Sequence, residues 1–120
     1  MNERARDTAL RQKNKFKRFP MNESEFNQHA DAALAKIEAA TDDSGVDCNR
    51  SGNVLEIEFD NKAKIIVNRH DINREIWVAA KSGGFHYAYR NGSWVNQRDG
   101  SELYAKLIGL FKEQGEEISF

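Results

Sequence analysis

Residues 21–60, MNESEFNQHADAALAKIEAATDDSGVDCNRSGNVLEIEFD, change their hydrophobic period halfway along, and this change decides the fold. Apolar residues first recur at steps of three and four, which predicts a helix from Asn22 to about Ala40. From Val46 onward apolar and polar residues alternate, which predicts strands joined by tight turns. The segment therefore predicts an amphipathic helix that leads directly into a sheet.

The predicted helix has a recognisable start and a single apolar face. Asn22, followed by Glu25 three residues later, matches the capping-box pattern, in which each side chain accepts a hydrogen bond from the other residue's backbone. One helical face collects the apolar side chains, which are Phe26, Ala30, Ala33, Leu34 and Ile37. We therefore expect the helix to pack on the sheet through this face.

The same segment concentrates the negative charge of the chain. It holds ten acidic and two basic residues, whereas residues 1–20 carry a net charge of +5 and residues 61–120 carry +2. On a helix, Asp31, Glu38 and Asp42 fall in one narrow stripe away from the apolar face. Two interpretations stay open: a solvated acidic surface, or weak and exchangeable sites for hard cations, which prefer carboxylate oxygens.

The rest of the chain continues the two-residue period and ends in a second helix. The predicted strands cover residues 46–50, 54–59, 64–68, 75–81, 85–89 and 93–95, with 69–74 as an irregular link. Asp99-Gly100-Ser101 is predicted to cap a helix whose apolar stripe is Leu103, Leu107, Leu110 and Phe111. This order predicts an α+β fold, a two-layer sandwich with two terminal helices on one face of a five- to six-stranded antiparallel sheet.

Composition and motifs argue against several classes of protein. Cys48 is the only cysteine, which excludes an intramolecular disulfide and fits a reducing compartment. We expect Cys48 to act as a small buried hydrophobe whose pKa is raised by acidic neighbours. The sequence contains no phosphate loop, nucleophile elbow, HExxH motif or Ser/His/Asp set, so we predict no catalytic residue and no enzyme activity.

Residues 1–20 are basic and weakly patterned. A disordered basic tail, an extension from an upstream start, and a targeting peptide all stay open. We favour a disordered extension followed by a domain of residues 21–120, because Met21 stands directly after Pro20 as a second start.

Trp77 marks a second candidate surface, on the sheet. If Ile76 and Val78 face the core, Trp77 faces outward and could anchor an interface. The alternative is that the other face of the sheet is also covered and Trp77 belongs to a core. We expect His70 and His86 to be solvent-exposed or hydrogen-bonded rather than functional.

Several short motifs, in their order and spacing, resemble the frataxin family and in particular its bacterial members. They are MNESEF at 21–26, Ile37-Glu38, Asp42-Asp43, Val46-Asp47-Cys48, KIIVNR at 64–69, IWVA at 76–79, GGFHY at 83–87 and Trp94-Val95. The resemblance covers Met21 to about Phe111. It implies the same α+β sandwich.

The resemblance also implies an iron-binding protein of iron–sulfur cluster assembly, which regulates the cysteine desulfurase in response to iron. Ferrous or ferric iron would be held weakly and exchangeably along an acidic ridge. Carried over to this chain, the ridge is Glu38, Asp42, Asp43 and Asp47, with Asp31 and Asp60 as outlying members. The implied partner-binding residues are Glu38, Asp42, Asp43, Asn68 and Trp77.

The implied partners are the cysteine desulfurase and the iron–sulfur scaffold complex, with no nucleic-acid or membrane partner. We expect a monomer in the bacterial cytoplasm, and iron-driven oligomers stay open. Two other functions also stay open: a ferroxidase or iron-storage protein, and an acidic interaction domain without a metal role. The junction from Thr41 to Asp47 is shorter and has fewer acids than in many bacterial members of the family, which implies a lower iron capacity, and Asn49 stands where a further acid is common.

Overall fold

Residues 21–120 are the part of the chain that the structure, a computed structural model, describes, and they fold as helix, six strands, helix. The elements are α1 (Glu23–Ser44), β1 (Asp47–Ser51), β2 (Val54–Glu58), β3 (Lys64–His70), β4 (Glu75–Ala80), β5 (Gly83–Arg90), β6 (Ser93–Asn96) and α2 (Leu103–Glu113). The predictions for residues 1–20 lie outside the described residues.

The six strands form one antiparallel sheet in the order of the chain. Every connection is therefore a hairpin, as the two-residue period and the turn residues predict. Asn91 and Gly92 have φ angles of 52° and 86°, the left-handed pair that a tight two-residue hairpin requires. Both helices cover the same face of the sheet, which confirms the predicted two-layer sandwich.

The core lies between the helices and this face. Phe26 of α1 meets Trp94 of β6 edge-on at 6.1 Å between ring centroids, and Phe59 meets Phe111 of α2 in the same way at 5.0 Å. All five apolar residues predicted for the first helix are buried, as are the four predicted for the second. Alternation along the strands leaves the opposite side of the sheet, here called the open face, without a covering helix among the described residues.

Helix α1 begins as predicted and ends later. The Asn22 side chain accepts a hydrogen bond from the Glu25 amide at 2.8 Å, and the Glu25 carboxylate accepts one from the Asn22 amide. The helix then runs to Ser44, where Gly45 at φ 82° provides a left-handed C-cap. The prediction of an end near Ala40 is therefore wrong, and Asp42-Asp43 form part of the last helical turn.

The ends of other elements also differ from the prediction, by up to two residues in the strands β1, β5 and β6. The link predicted for residues 69–74 is shorter, because Arg69 and His70 pair with β4 and extend β3. Glu102, rather than the predicted Asp99-Gly100-Ser101, caps α2, and its carboxylate accepts a hydrogen bond from the Ala105 amide at 3.0 Å. Asp99 instead closes the preceding turn by accepting two hydrogen bonds from Ser101.

Candidate functional site

The end of α1 and the adjoining edge of the sheet carry most of the predicted site residues. We use the name acidic ridge for Glu38, Asp42, Asp43 and Asp47. Asp42, Asp43 and Asp47 are exposed and Glu38 is half-buried. No lysine or arginine of residues 21–120 lies within ion-pair distance of these four carboxylates. The ridge therefore holds negative charge that the described part of the chain leaves unbalanced.

The pKa of Cys48 reflects the presence of two of these carboxylates near β1. Burial of the thiol, together with the negative charges of Glu38 and Asp42, raises the pKa of Cys48 to about 11. The thiol packs against the core below α1. The predicted rise of the pKa is confirmed, with burial as a larger cause than the acidic neighbours, whereas the side chain is half-buried rather than buried as predicted.

Asp47 and Asp60 extend the acidic surface around the edge of the sheet. Asp47 is paired with Glu58 in the ladder, so its side chain lies on the open face, opposite to Cys48. Asp60 is exposed in the turn between β2 and β3. Among residues 21–120, no three His, Cys, Asp or Glu side chains converge closely enough to enclose a metal ion. The arrangement suits hydrated cations held by one or two carboxylates at a time.

Asp31 shares a helix with the ridge but has different surroundings. Its carboxylate forms ion pairs with Arg69 and, at 3.3 Å, with Arg50. Two guanidinium groups therefore balance its charge, and they would compete with any cation for its oxygens. Asp31 as an outlying metal ligand stays a prediction, and its observed contacts are those of a structural residue.

The open face presents the second candidate, Trp77. Ile76 and Val78 are buried while Trp77 is half-buried on the opposite side, so the predicted outward orientation is the one observed. Asn68 lies directly across the ladder from Trp77, which brings the two predicted partner-binding residues of the sheet together. The indole nitrogen donates a hydrogen bond to the Glu75 carboxylate at 2.7 Å.

Sequence reasoning missed the two histidines that enclose Trp77. His70 and His86 stack on opposite sides of the indole, with centroid distances of 3.9 and 4.2 Å and interplanar angles of 9° and 5°. Only the strand register brings them there, because His86 lies directly opposite Trp77 and His70 lies diagonally across β3. The turn residues on either side of β4 set this register, so they are the sequence signal that could have identified the two histidines.

The two candidate surfaces are close enough for one partner to contact both. Trp77 lies on β4 and Asp47 on β1, about 14 Å apart across the sheet and, by the register, four residues or about 13 Å apart along the strands, so roughly 20 Å separates them. A protein interface of ordinary size covers about 800 Å² on each partner and so spans this separation. None of the helices in residues 21–120 is long and apolar enough to cross a membrane.

Comparison with known proteins gives matches over nearly all of the described chain. A family model described as a frataxin-like domain matches residues 19–117. The iron–sulfur cluster assembly protein CyaY of Janthinobacterium sp. (strain Marseille) is 53% identical over 102 residues, which cover 79% of this chain and 91% of that protein.

Two solved structures extend the comparison to the fold. The frataxin of Psychromonas ingrahamii matches with a TM-score of 0.76 and 39% identity, over 82% of this chain and 97% of that one. A trimeric frataxin from the yeast Saccharomyces cerevisiae, complexed with ferrous iron, has a TM-score of 0.54 and 23% identity over 82% of this chain and 89% of that one. The yeast protein shares the fold.

Proposed function

Because the chain belongs to the frataxin family, we propose that it acts in bacterial iron–sulfur cluster assembly as an iron-dependent regulator of the cysteine desulfurase complex. The name of its bacterial relative supports the pathway. The observation that carries the proposal is the acidic ridge at the end of α1, whose carboxylates have no basic partner within residues 21–120. We place the protein in the cytoplasm, as a monomer.

The ridge binds iron by electrostatics rather than by a closed coordination shell. Carboxylate oxygens suit hard cations such as ferric iron and also accept ferrous iron. Exposed ligands from a helix end and a strand edge leave most of the iron's coordination positions to water. Iron is therefore held weakly and exchanges readily, which suits a sensor of iron concentration.

The same negative surface docks on the desulfurase complex through a basic patch of the partner. Charge complementarity of this kind raises the association rate and fixes the orientation of the complex. Trp77 and Asn68 on the open face then provide an apolar and hydrogen-bonding contact at the far side of the interface. Iron bound on the ridge removes part of the negative charge, so iron and the basic partner compete for the same carboxylates.

A charge-reversal series tests both activities of the ridge. In Asp42→Lys/Asp43→Lys we expect loss of iron-induced broadening of amide resonances near the end of α1. We also expect at least a tenfold weaker affinity for the desulfurase, because two attractive contacts become repulsive. Titrations with ferrous and ferric iron, and binding measured by isothermal calorimetry, provide the two readouts.

The matched control compares single reversals at the two ends of α1. Glu23→Lys changes the net charge as much as Asp42→Lys does, but Glu23 lies in the exposed first turn. We expect Glu23→Lys to bind iron and desulfurase as the parent protein does. Equal losses of binding in Glu23→Lys and Asp42→Lys would show that only the net charge matters. Undiminished binding in Asp42→Lys/Asp43→Lys would show that the ridge is not the binding site. Oxygen uptake with ferrous iron would instead favour a ferroxidase.

A further inference from the structure

His70, Trp77 and His86 form a continuous three-ring stack on the open face, which we call the indole stack. The imidazoles lie nearly parallel to the indole, with interplanar angles of 9° and 5°, and at centroid distances of 3.9 and 4.2 Å. Both faces of the predicted docking residue are therefore occupied by imidazole rings, the side-chain type that proteins most often use to respond to pH. The proposed function does not use either histidine.

Acidic and basic side chains around the stack determine what a proton would do there. Glu75 lies directly opposite His70 in the ladder, and its Oε1 is 3.9 Å from Nδ1 of His86, whereas Nδ1 of His70 is buried without a hydrogen-bond partner among the described residues. The remaining charged neighbours are Arg98 and Asp99, which line a cleft of about 420 Å³ beside His86, and Asp71 and Arg74 in the turn that follows His70.

These neighbours differ in the ion pairs and hydrogen bonds that they already form. Asp71 pairs with Arg69, and Asp99 accepts hydrogen bonds from Ser101. Glu75 accepts only the neutral indole N–H among its hydrogen bonds within the described residues. Its carboxylate is therefore the group placed to pair with a positive charge formed on His86.

Protonation changes the stack in two ways. An imidazolium held against an indole face gains a cation–π attraction that the neutral ring lacks, and at His86 it also gains an ion-pair partner in Glu75. The stack therefore tightens around Trp77 as the pH falls. At the same time the open face gains positive charge beside the residue that is proposed to contact the partner.

We propose that the indole stack is a proton-responsive element that lowers the affinity of the open face for its basic partner as the pH falls. The inference rests on the proposed function, in which Trp77 contacts a partner that carries a basic patch. With neutral imidazoles, the face presents Trp77 between two uncharged rings and beside the negative Glu75. With charged imidazoles, it holds Trp77 more tightly and repels the basic surface.

The size of the effect follows from the exposure of the groups. One additional repulsive contact at a solvent-exposed interface weakens binding by about two- to fivefold. Two histidines therefore account for roughly a five- to twentyfold loss of affinity between pH 7.5 and pH 5.5.

The first part of the test uses the protein alone. We expect the indole N–H resonance and the fluorescence of Trp77 to change between pH 7.5 and pH 5.5, in step with the ring C–H resonances of His70 and His86. Trp77→Phe identifies the contribution of Trp94, and His29→Gln serves as the matched histidine control, since His29 stacks on Tyr89 away from the indole stack. A Trp77 signal that does not follow either histidine overturns the proposal.

The second part measures desulfurase affinity at both pH values for the parent protein and for His70→Gln/His86→Gln, which cannot gain the proton. The pH dependence of the desulfurase itself is common to both and cancels in their ratio. We expect the parent protein to lose five- to twentyfold more affinity than the variant. An equal loss in both overturns the inference and leaves the proposed function intact, whereas absence of binding at pH 7.5 rejects the proposed function and the inference with it.

Discussion

At the scale of single residues, Arg69 gives Asp31 surroundings that differ from those of the acidic ridge. Its side chain is only 8% exposed and pairs with Asp31 of α1 and, at 3.3 Å, with Asp71. The guanidinium also lies 5.5 Å from the centre of the Phe26 ring. A charge this deeply placed needs its partners, so Arg69 ties the first half of α1 to β3.

We expect Arg69→Ala to lower the free energy of unfolding by about 2 kcal/mol, because a packed, paired side chain is lost. Asp31→Ala should cost about 1 kcal/mol or less, since its carboxylate is 56% exposed and Asp71 remains for Arg69. Urea denaturation measures both values. Iron-induced shifts of the amide resonance of Asp42 should persist in Asp31→Ala. Loss of these shifts at unchanged stability would show that Asp31 takes part in iron binding.

Cys48 provides a chemical probe of the ridge at the same scale. Because its pKa is raised from 9.0 to about 11, the thiolate fraction at pH 8 is about a hundredfold below that of an ordinary thiol. We expect iodoacetamide to react with Cys48 correspondingly slowly, with the rate rising until the pH passes about 11.

Glu38→Gln/Asp42→Asn should speed this reaction at pH 8, because removal of the two negative charges lowers the pKa of the thiol. Mass spectrometry gives the rates, and Glu23→Gln at the far end of α1 is the control. The acceleration should be partial, since burial is the larger cause. An unchanged rate would mean that the two carboxylates lie too far from β1 to act on the thiol.

At the scale of elements, the last turn of α1 carries negative charges that lower the stability of the helix. It contains Asp42 and Asp43 and no basic residue, although the negative end of a helix dipole favours cations. Both carboxylates are therefore unfavourable to the helix that carries them. This arrangement is expected of a binding surface, where residues serve a ligand at the expense of local stability.

We expect Asp43→Lys to raise the free energy of unfolding by about 0.5–1 kcal/mol, because it replaces a repulsive charge at the helix end by an attractive one. The same variant should bind iron more weakly. Thermal denaturation without and with iron separates the two effects: the variant unfolds at a higher temperature in the absence of iron and gains less from its addition. A destabilised variant would contradict the argument from the helix dipole.

The same elements show which features a sequence can supply. Alternation predicted every strand, because residues such as Leu55 and Ile57 must face the side of the sheet that the two helices cover. The end of α1 was missed because the αL cap at Gly45 lies beyond two aspartates that suggest a turn. The individual acids of the ridge were predicted from helical geometry and the family resemblance. Asp31 could not be distinguished from them, because its arginine partners are distant in the sequence.

At the scale of the whole molecule, side-chain contacts between distant elements were the least predictable features. The indole stack depends on the register of three strands, and the Asp31–Arg69 pair joins residues 38 positions apart. Local periodicity contains no information on either, because it fixes the face on which a residue lies and not its neighbour on that face. The layer architecture, by contrast, follows from the order of helices and strands.

The basic residues 1–20 give a prediction that involves the entire chain. They carry a net charge of +5, whereas residues 21–60 carry −8. We expect their deletion to change the free energy of unfolding by less than about 0.5 kcal/mol, because the helices and the sheet of residues 21–120 enclose a core between them. We expect desulfurase affinity at low salt to rise, since removal of positive charge strengthens attraction to a basic partner.

A matched variant separates charge from chain length. Replacement of residues 1–20 by a neutral Gly/Ser segment of equal length should increase affinity as much as deletion does, and the gain should vanish in both at high salt, where exposed charges are screened. A gain in the deletion alone would instead indicate that the segment obstructs the partner by its bulk. A large loss of stability in either variant would show that the domain extends beyond Met21 toward the N-terminus.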